Sequence, residues 1–157
     1  MLLVLFLFGL ALGAVAPSGE VNSTEGLGQV DCPYSWTSFE NHCYKYVNNP
    51  MTWIDAQRHC ESQKANLVSI SNPLEHDFVN MLINDIGNPQ TVTWIGLNFL
   101  TGEWLWSDGS AVNYVNWNQG EPNNMGGNEY CVETNYDYEK KWNDIACSQT
   151  YASVCEA

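Results

Sequence analysis

Positive charge is scarce in this chain: five Lys and Arg stand against 18 Asp and Glu, a formal net charge of −13. So acidic a protein repels nucleic-acid phosphates and anionic lipid surfaces, which argues against binding to DNA, RNA or a membrane surface. No Cys-x-x-Cys pair occurs, so a zinc ribbon or a thioredoxin-type redox site has no support. His42, His59 and His76 lack any metal spacing such as His-Glu-x-x-His and read as surface or hydrogen-bonded packing residues. Internal repeats and coiled-coil heptads are missing as well. The one long apolar run, residues 1–16, is too short for a comfortable membrane span and ends in Ala14-Val15-Ala16. It reads as a secretory signal peptide cut after Ala16 or Gly13, with no membrane insertion of the mature chain.

What is present agrees with an extracellular destination. The six cysteines, Cys32, Cys43, Cys60, Cys131, Cys147 and Cys155, form an even set, as expected of three disulfides in an oxidising compartment. Six cysteines admit many pairings, and their number does not choose among them. Residues 17–31 are rich in Gly, Ser and Glu and poor in bulky apolar side chains, which predicts a flexible N-terminal segment. Asn22-Ser23-Thr24 within it is a glycosylation sequon. From Cys32 onward the composition becomes aromatic and compact, so residues 32–157 are read as a single folded domain.

Short aromatic runs around Tyr34, Trp36, Phe39, Tyr44 and Tyr46 suit a strand pair closed by a local bridge between Cys32 and Cys43. Thr52 with Asp55 three positions on predicts a capped helix, with Ala56, His59, Cys60 and Gln63 at helical spacing. A second helix is predicted from Asn72 as cap, Pro73 and Glu75 in the first turn, Phe78, Val79, Leu82 and Ile86 as the apolar stripe, and Gly87 as terminator. Strands are expected at 92–97, 104–107 and 130–133. The stretch between Ser107 and Tyr130, rich in Asp, Asn, Gly and Pro, is too long for an ordinary connection, and its aromatic residues argue for an ordered functional loop.

The chemistry concentrates in Glu121-Pro122-Asn123, Glu129, and Asn143-Asp144 after Trp142. Each side chain among Glu121, Asn123, Glu129, Asn143 and Asp144 offers an oxygen, and calcium takes about six to eight oxygens with tolerant geometry. A neighbouring pair of sugar hydroxyls could complete such a shell while bonding to the same carboxylates and amides. Pro122 matters because an X-Pro bond can be cis, which would turn the Glu121 and Asn123 side chains to one side.

These residues, with Trp94-Ile95-Gly96-Leu97, Trp142-Asn143-Asp144 and the cysteines, resemble the C-type lectin domain, from Cys32 to Ala157. Order and spacing agree, including the eight-residue step from Glu121 to Glu129. The resemblance implies an α+β double-loop fold with two helices flanking small antiparallel sheets. It implies pairings Cys60–Cys155 and Cys131–Cys147, with Cys32–Cys43 similar to the long-form domains. It also implies that Glu121, Asn123, Glu129, Asn143 and Asp144 hold one calcium and bind the carbohydrate. In this family Glu-Pro-Asn marks mannose-type glycans and Gln-Pro-Asp marks galactose, since swapping amide and carboxylate reverses donors and acceptors around the hydroxyl pair.

The chain departs from the family pattern where some relatives hold a second calcium: Phe99, Asn124 and Tyr130 stand there instead of acidic ligands, so one calcium is expected. The stretch 135–141 is longer than in the simplest relatives, which leaves the edge of the sugar site open. Met125 is a candidate apolar contact for the sugar, while Trp117, Trp94, Trp104, Trp106 and Trp142 are read as core. The expectation is therefore a secreted calcium-dependent lectin and not an enzyme, because calcium ligands must stay ionised and none is left as a proton donor. The rival is an ice-binding protein of the type II antifreeze kind on the same fold. A single shallow sugar site binds on the order of millimolar, so useful avidity implies self-association into a homo-oligomer.

Overall fold

The computed structural model describes residues 30–157; the signal peptide, most of the N-terminal segment and Asn22 lie outside the described residues. Eleven elements follow in order: β1 (Thr37–Phe39), β2 (His42–Met51), α1 (Trp53–Ser62), β3 (Asn66–Leu67), α2 (Pro73–Ile86), β4 (Thr93–Asn98), β5 (Leu105–Trp106), a single 3-10 turn (Met125–Gly127), β6 (Cys131–Tyr136), β7 (Lys141–Ile145) and β8 (Tyr151–Glu156). The architecture is α+β. Its sheet runs β1-β2-β8-β4-β6-β7, with β3 attached to β8 and β5 to β4. Every pairing between these strands is antiparallel except β4 with β8, where Thr93 lies opposite Ala152 and Trp94 opposite Ser153. That parallel seam joins what would otherwise be two small antiparallel sheets.

Local sequence accounts for most of these elements. Glu40 and Asn41 have φ of 43° and 68°, the left-handed pair that a tight hairpin turn between β1 and β2 requires. Thr52 caps α1 by accepting from the Asp55 N–H at 3.3 Å, and its hydroxyl donates to the Asp55 carboxylate at 2.7 Å. The buried face of α1 is Trp53, Ala56, Gln57 and Cys60. Of the four residues at helical spacing, His59 and Gln63 are only half-buried and bond to each other at 2.8 Å, while Gln57 is inside because its amide serves Asn66 and the Leu67 N–H. On α2, the Asn72 side chain accepts from the Glu75 N–H at 2.9 Å. Phe78, Val79, Leu82 and Ile83 face the core, whereas the predicted Ile86 is exposed. Gly87 ends the helix for a packing reason: a Cβ there would sit 2.6 Å from the Tyr46 hydroxyl and 2.7 Å from the Ile83 carbonyl.

Strands β7 and β8 were not anticipated, yet β8 is the hub of the sheet, pairing with β2, β3 and β4. Its central residues, Ala152 to Cys155, are all buried, so no polar alternation marks it as a strand. Three disulfides tie the fold together: Cys32–Cys43, Cys60–Cys155 and Cys131–Cys147.

The aromatic core explains how the long loop is held. Trp142 is fully buried, with Trp106, Tyr114 and Trp117 meeting it edge-on at 5.7, 5.7 and 6.0 Å. Its indole N–H points at His76 Nδ1 at 3.3 Å, and the other imidazole nitrogen lies 2.9 Å from the amides of Asn80 and Asn116. An indole can only donate, so Nδ1 is the acceptor, and burial pushes His76 below the usual imidazole range and keeps it neutral. His76 thereby links α2, the long loop and β7. Trp117 pairs with Trp142 in a parallel bridge and packs on Trp104 at 4.9 Å. It is a half-buried anchor of the loop.

Candidate functional site

The five predicted ligands come from two places that the fold brings together. Asn143 and Asp144 sit on β7, opposite Glu133 and Val132 of β6. Glu121, Asn123 and Glu129 belong to the long loop, in which the Glu121–Pro122 peptide is cis. The loop docks on the strand through one carboxylate: Asp144 Oδ1 accepts from the Asn123 N–H at 3.0 Å and Oδ2 from the Asn124 N–H at 2.8 Å. The Asn123 side-chain oxygen Oδ1 and the Glu129 carboxylate both accept from the Met125 N–H at 2.7 Å. Asn124, with φ of 44°, closes the circuit by accepting from the Glu129 N–H at 3.0 Å.

The electrostatics are one-sided. None of the ion pairs among the described residues reaches these carboxylates. Glu121 is pushed above the usual carboxylate range, first by burial and then by its hydrogen bond and repulsion with Asp144 and by repulsion from Glu129. Its Oε2 is buried without a hydrogen-bond partner. Among the described residues no three His, Cys, Asp or Glu side chains form a closed metal cluster, because Asp144 and Glu129 are turned to backbone N–H groups. The donor set nevertheless fits a hard cation: three carboxylates and two amides, an unpartnered buried oxygen, and no basic side chain to balance them.

Sequence reasoning missed Glu133. It is 2% exposed, and its Oε1 accepts from Asn143 Nδ2 at 3.0 Å, so it orients the amide of a predicted ligand. No local sequence signal marks it: in the β6–β7 hairpin Glu133 lies directly opposite Asn143, a relation that the register alone reveals. Burial raises Glu133 to about 7, with Asn143 opposing the shift and Glu129 and Glu121 adding to it. A raised carboxylate favours the protonated folded form. Its contribution is fully present below the ordinary value near 4.5 and is lost as pH rises through about 7. In chelator, a Glu133→Gln chain is therefore expected to gain about 3 kcal/mol on wild type between pH 4.5 and 8. Thermal melts across that range check it, and parallel pH curves for the two proteins would refute it.

Phe99, Asn124 and Tyr130, the departures from the family pattern, line a pocket beside Glu129 and Asp144. Trp104 and Pro122 complete its wall, its volume is about 200 Å³, and the Phe99 and Trp104 rings lie 5.2 Å apart. Met125 is exposed beside the loop, at 71%. The stretch 135–141 is not at the edge of this site: its turn closes the β6–β7 hairpin beyond the Tyr136–Lys141 pair, at the end away from Asp144. Of the histidines, His42 pairs with Glu156 at 2.7 Å, and none contributes to the site.

The Lectin C-type domain family matches residues 49–157. Ladderlectin of Oncorhynchus mykiss is 37% identical over 146 residues, covering 92% of this chain and 76% of its own. Lactose-binding lectin l-2 of Anguilla japonica is 39% identical over 136 residues, covering 83% and 80%. Among solved structures, the cow C-type carbohydrate-recognition domain of CD23, determined in the presence of a GlcNAc2Man3 oligosaccharide, superposes with a TM-score of 0.71 at 37% identity, covering 81% of this chain and 95% of that one. Herring type II antifreeze protein superposes with a TM-score of 0.73 at 29% identity, covering 80% and 98%. The chain belongs to the C-type lectin family, a family of carbohydrate-binding domains. No helix among the described residues is long and apolar enough to cross a membrane.

Proposed function

We propose that the protein is a secreted, calcium-dependent lectin that binds mannose-type glycans through Glu121, Asn123, Glu129, Asn143 and Asp144. The observation that carries this reading is that Asp144 on β7 seats the backbone of the loop bearing Glu121, Asn123 and Glu129, with Glu121 Oε2 buried and unpartnered. Calcium held there would supply coordination to two neighbouring hydroxyls of a sugar. The side chains supply the rest: carboxylates of Glu121 and Glu129 accept from the hydroxyls, and the amides of Asn123 and Asn143 donate to them. No group with these duties is free to act as a general acid, so the reading is binding without catalysis.

The relatives do not settle the sugar. One is named for lactose and another was solved with a mannose-containing oligosaccharide. Glu121 and Asn123 favour the mannose type by the order of acceptor and donor along the loop. The antifreeze likeness keeps ice binding as the second reading, favoured by shared fold alone.

The deciding experiment is retention on mannose-agarose against galactose-agarose, with calcium and then with chelator. The wild-type chain is expected to stay on mannose and to elute with chelator. The Glu121→Gln, Asn123→Asp double variant, which reverses donors and acceptors, is expected to lose mannose retention by at least about tenfold. Calcium binding without retention on either resin, together with thermal hysteresis, would replace this reading with ice binding.

A further inference from the structure

A cleft of about 510 Å³ lies between the connection after α2 and the turn of the β6–β7 hairpin, away from the calcium loop. One wall is Pro89, Gln90 and Val92; the other is Asn135 to Tyr138 with Lys140. The hairpin wall is shaped by left-handed residues, with φ of 61° at Asn135, 59° at Asp137 and 54° at Lys140. Asn135 holds the walls together, its amide donating to the carbonyls of Pro89 at 3.2 Å and Thr91 at 2.9 Å.

Two groups at this cleft, one oxygen and one ring, have no partner within the fold. Asn135 is 2% exposed, and its side-chain carbonyl is buried with no hydrogen-bond partner, a costly arrangement unless something donates to it. Tyr138 is 92% exposed at the rim, where an aromatic ring gains nothing from packing. The remaining chemistry is mixed: Tyr136, Pro89 and Val92 give apolar surface, and Asp137 and Lys140 bring one charge of each sign. An anion would meet a chain of net charge −13, a cation would meet Lys140, and a purely apolar ligand would leave the Asn135 carbonyl unmet. A neutral polyhydroxy ring satisfies all of these: its hydroxyls donate to Asn135 and Asp137, and its C–H face lies on an aromatic ring. The volume falls in the range of small-ligand sites, about 300–1,000 Å³.

We propose that this cleft is a second saccharide site, independent of calcium, for one or two neutral sugar rings. With Asp144 near one end of the β6–β7 hairpin and this cleft at the other, a single chain would be bivalent. Cross-linking of glycans then needs no self-association.

The test is an amide-shift titration of isotope-labelled full chain in chelator, so that the calcium loop takes no part, with methyl α-mannoside, lactose and N,N′-diacetylchitobiose. Shifts are expected at 88–92 and 134–141 with at least one of them, with affinity on the order of millimolar. Tyr138→Ala, a change at an exposed position, is expected to weaken that binding by about threefold to tenfold while leaving the melting temperature and calcium-dependent resin retention as in wild type. No shift with any of the three saccharides overturns the proposal, as do shifts confined to 121–129 and 143–144. Unaltered binding by Tyr138→Ala, or shifts at the cleft with triglycine but not with sugars, overturns it too. None of these outcomes bears on retention through the calcium loop, so the two readings fail separately.

Discussion

An Asp144→Ala chain is expected to lose retention on mannose-agarose and to bind calcium on the order of a hundredfold more weakly than wild type, with little change in its chelator-state melting temperature. The carboxylate does two things at once. It accepts the N–H groups of Asn123 and Asn124 and so seats the long loop against β7, and it is one of the three acids that a cation would hold together. A hundredfold is about 2.7 kcal/mol, the size expected for losing one charged ligand together with the order that it gives the loop, while the two N–H bonds, remade to water, contribute little net. The fold should survive, because Asn123 and Asn124 are exposed and their freed N–H groups can turn to water. Calorimetry of calcium binding, resin retention and near-ultraviolet circular dichroism check the three parts. A variant that still binds mannose in calcium would remove Asp144 from the site.

The second large effect concerns the covalent frame. Replacing Cys60 and Cys155 together by alanine is expected to destabilise the domain by about 4–5 kcal/mol, against about 3 for Cys131 with Cys147. The reason is loop length: the first bridge closes a separation of 95 residues, the second 16, and Cys32–Cys43 only 11. Cys60 and Cys155 are also completely buried where α1 meets β8, so the alanines leave space as well as freedom. For a domain whose whole stability is about 5–15 kcal/mol, this is a drop in melting temperature on the order of 15 °C. Melts of the three double variants give the order directly. Equal drops, or the largest for Cys32–Cys43, would show that unfolded-chain entropy is not what these bridges restrict.

How much of this could be read beforehand depended on whether a residue's role was local. Thr52, Asn72, Pro73 and Gly87 mark helix ends through their own backbone and nearest neighbours, and both helices stand where those signals put them. The inner faces were less legible. Gln57 is inside while His59 is only half-buried, and Ile83 replaced Ile86, since the sheet that each helix meets decides which side is inside. Strand β8 left no trace in periodicity because both its faces are covered, and β7 was hidden inside a run noticed only for its polar side chains. The would-be calcium ligands could be named from type and spacing, and the structure brings Asn123 and Asp144 into direct contact across 21 positions. Glu133 could not be named, because its importance comes from lying across a ladder from Asn143, a relation that exists only once the register is known.

The way the long loop is fastened has a consequence for how such a protein can change. Residues 122–128 are all exposed, while the contacts that fasten them to the body of the domain, Asp144 beneath and the Trp117–Trp142 bridge behind, lie outside the run. Within it, Asn124, Gly126 and Gly127 are bound to their identities by positive φ. Met125 and Asn128 carry no such restriction. A combinatorial library at those two positions would vary the rim of the proposed glycan site at almost no thermodynamic cost, so selection for a new ligand could proceed without first having to repair the scaffold.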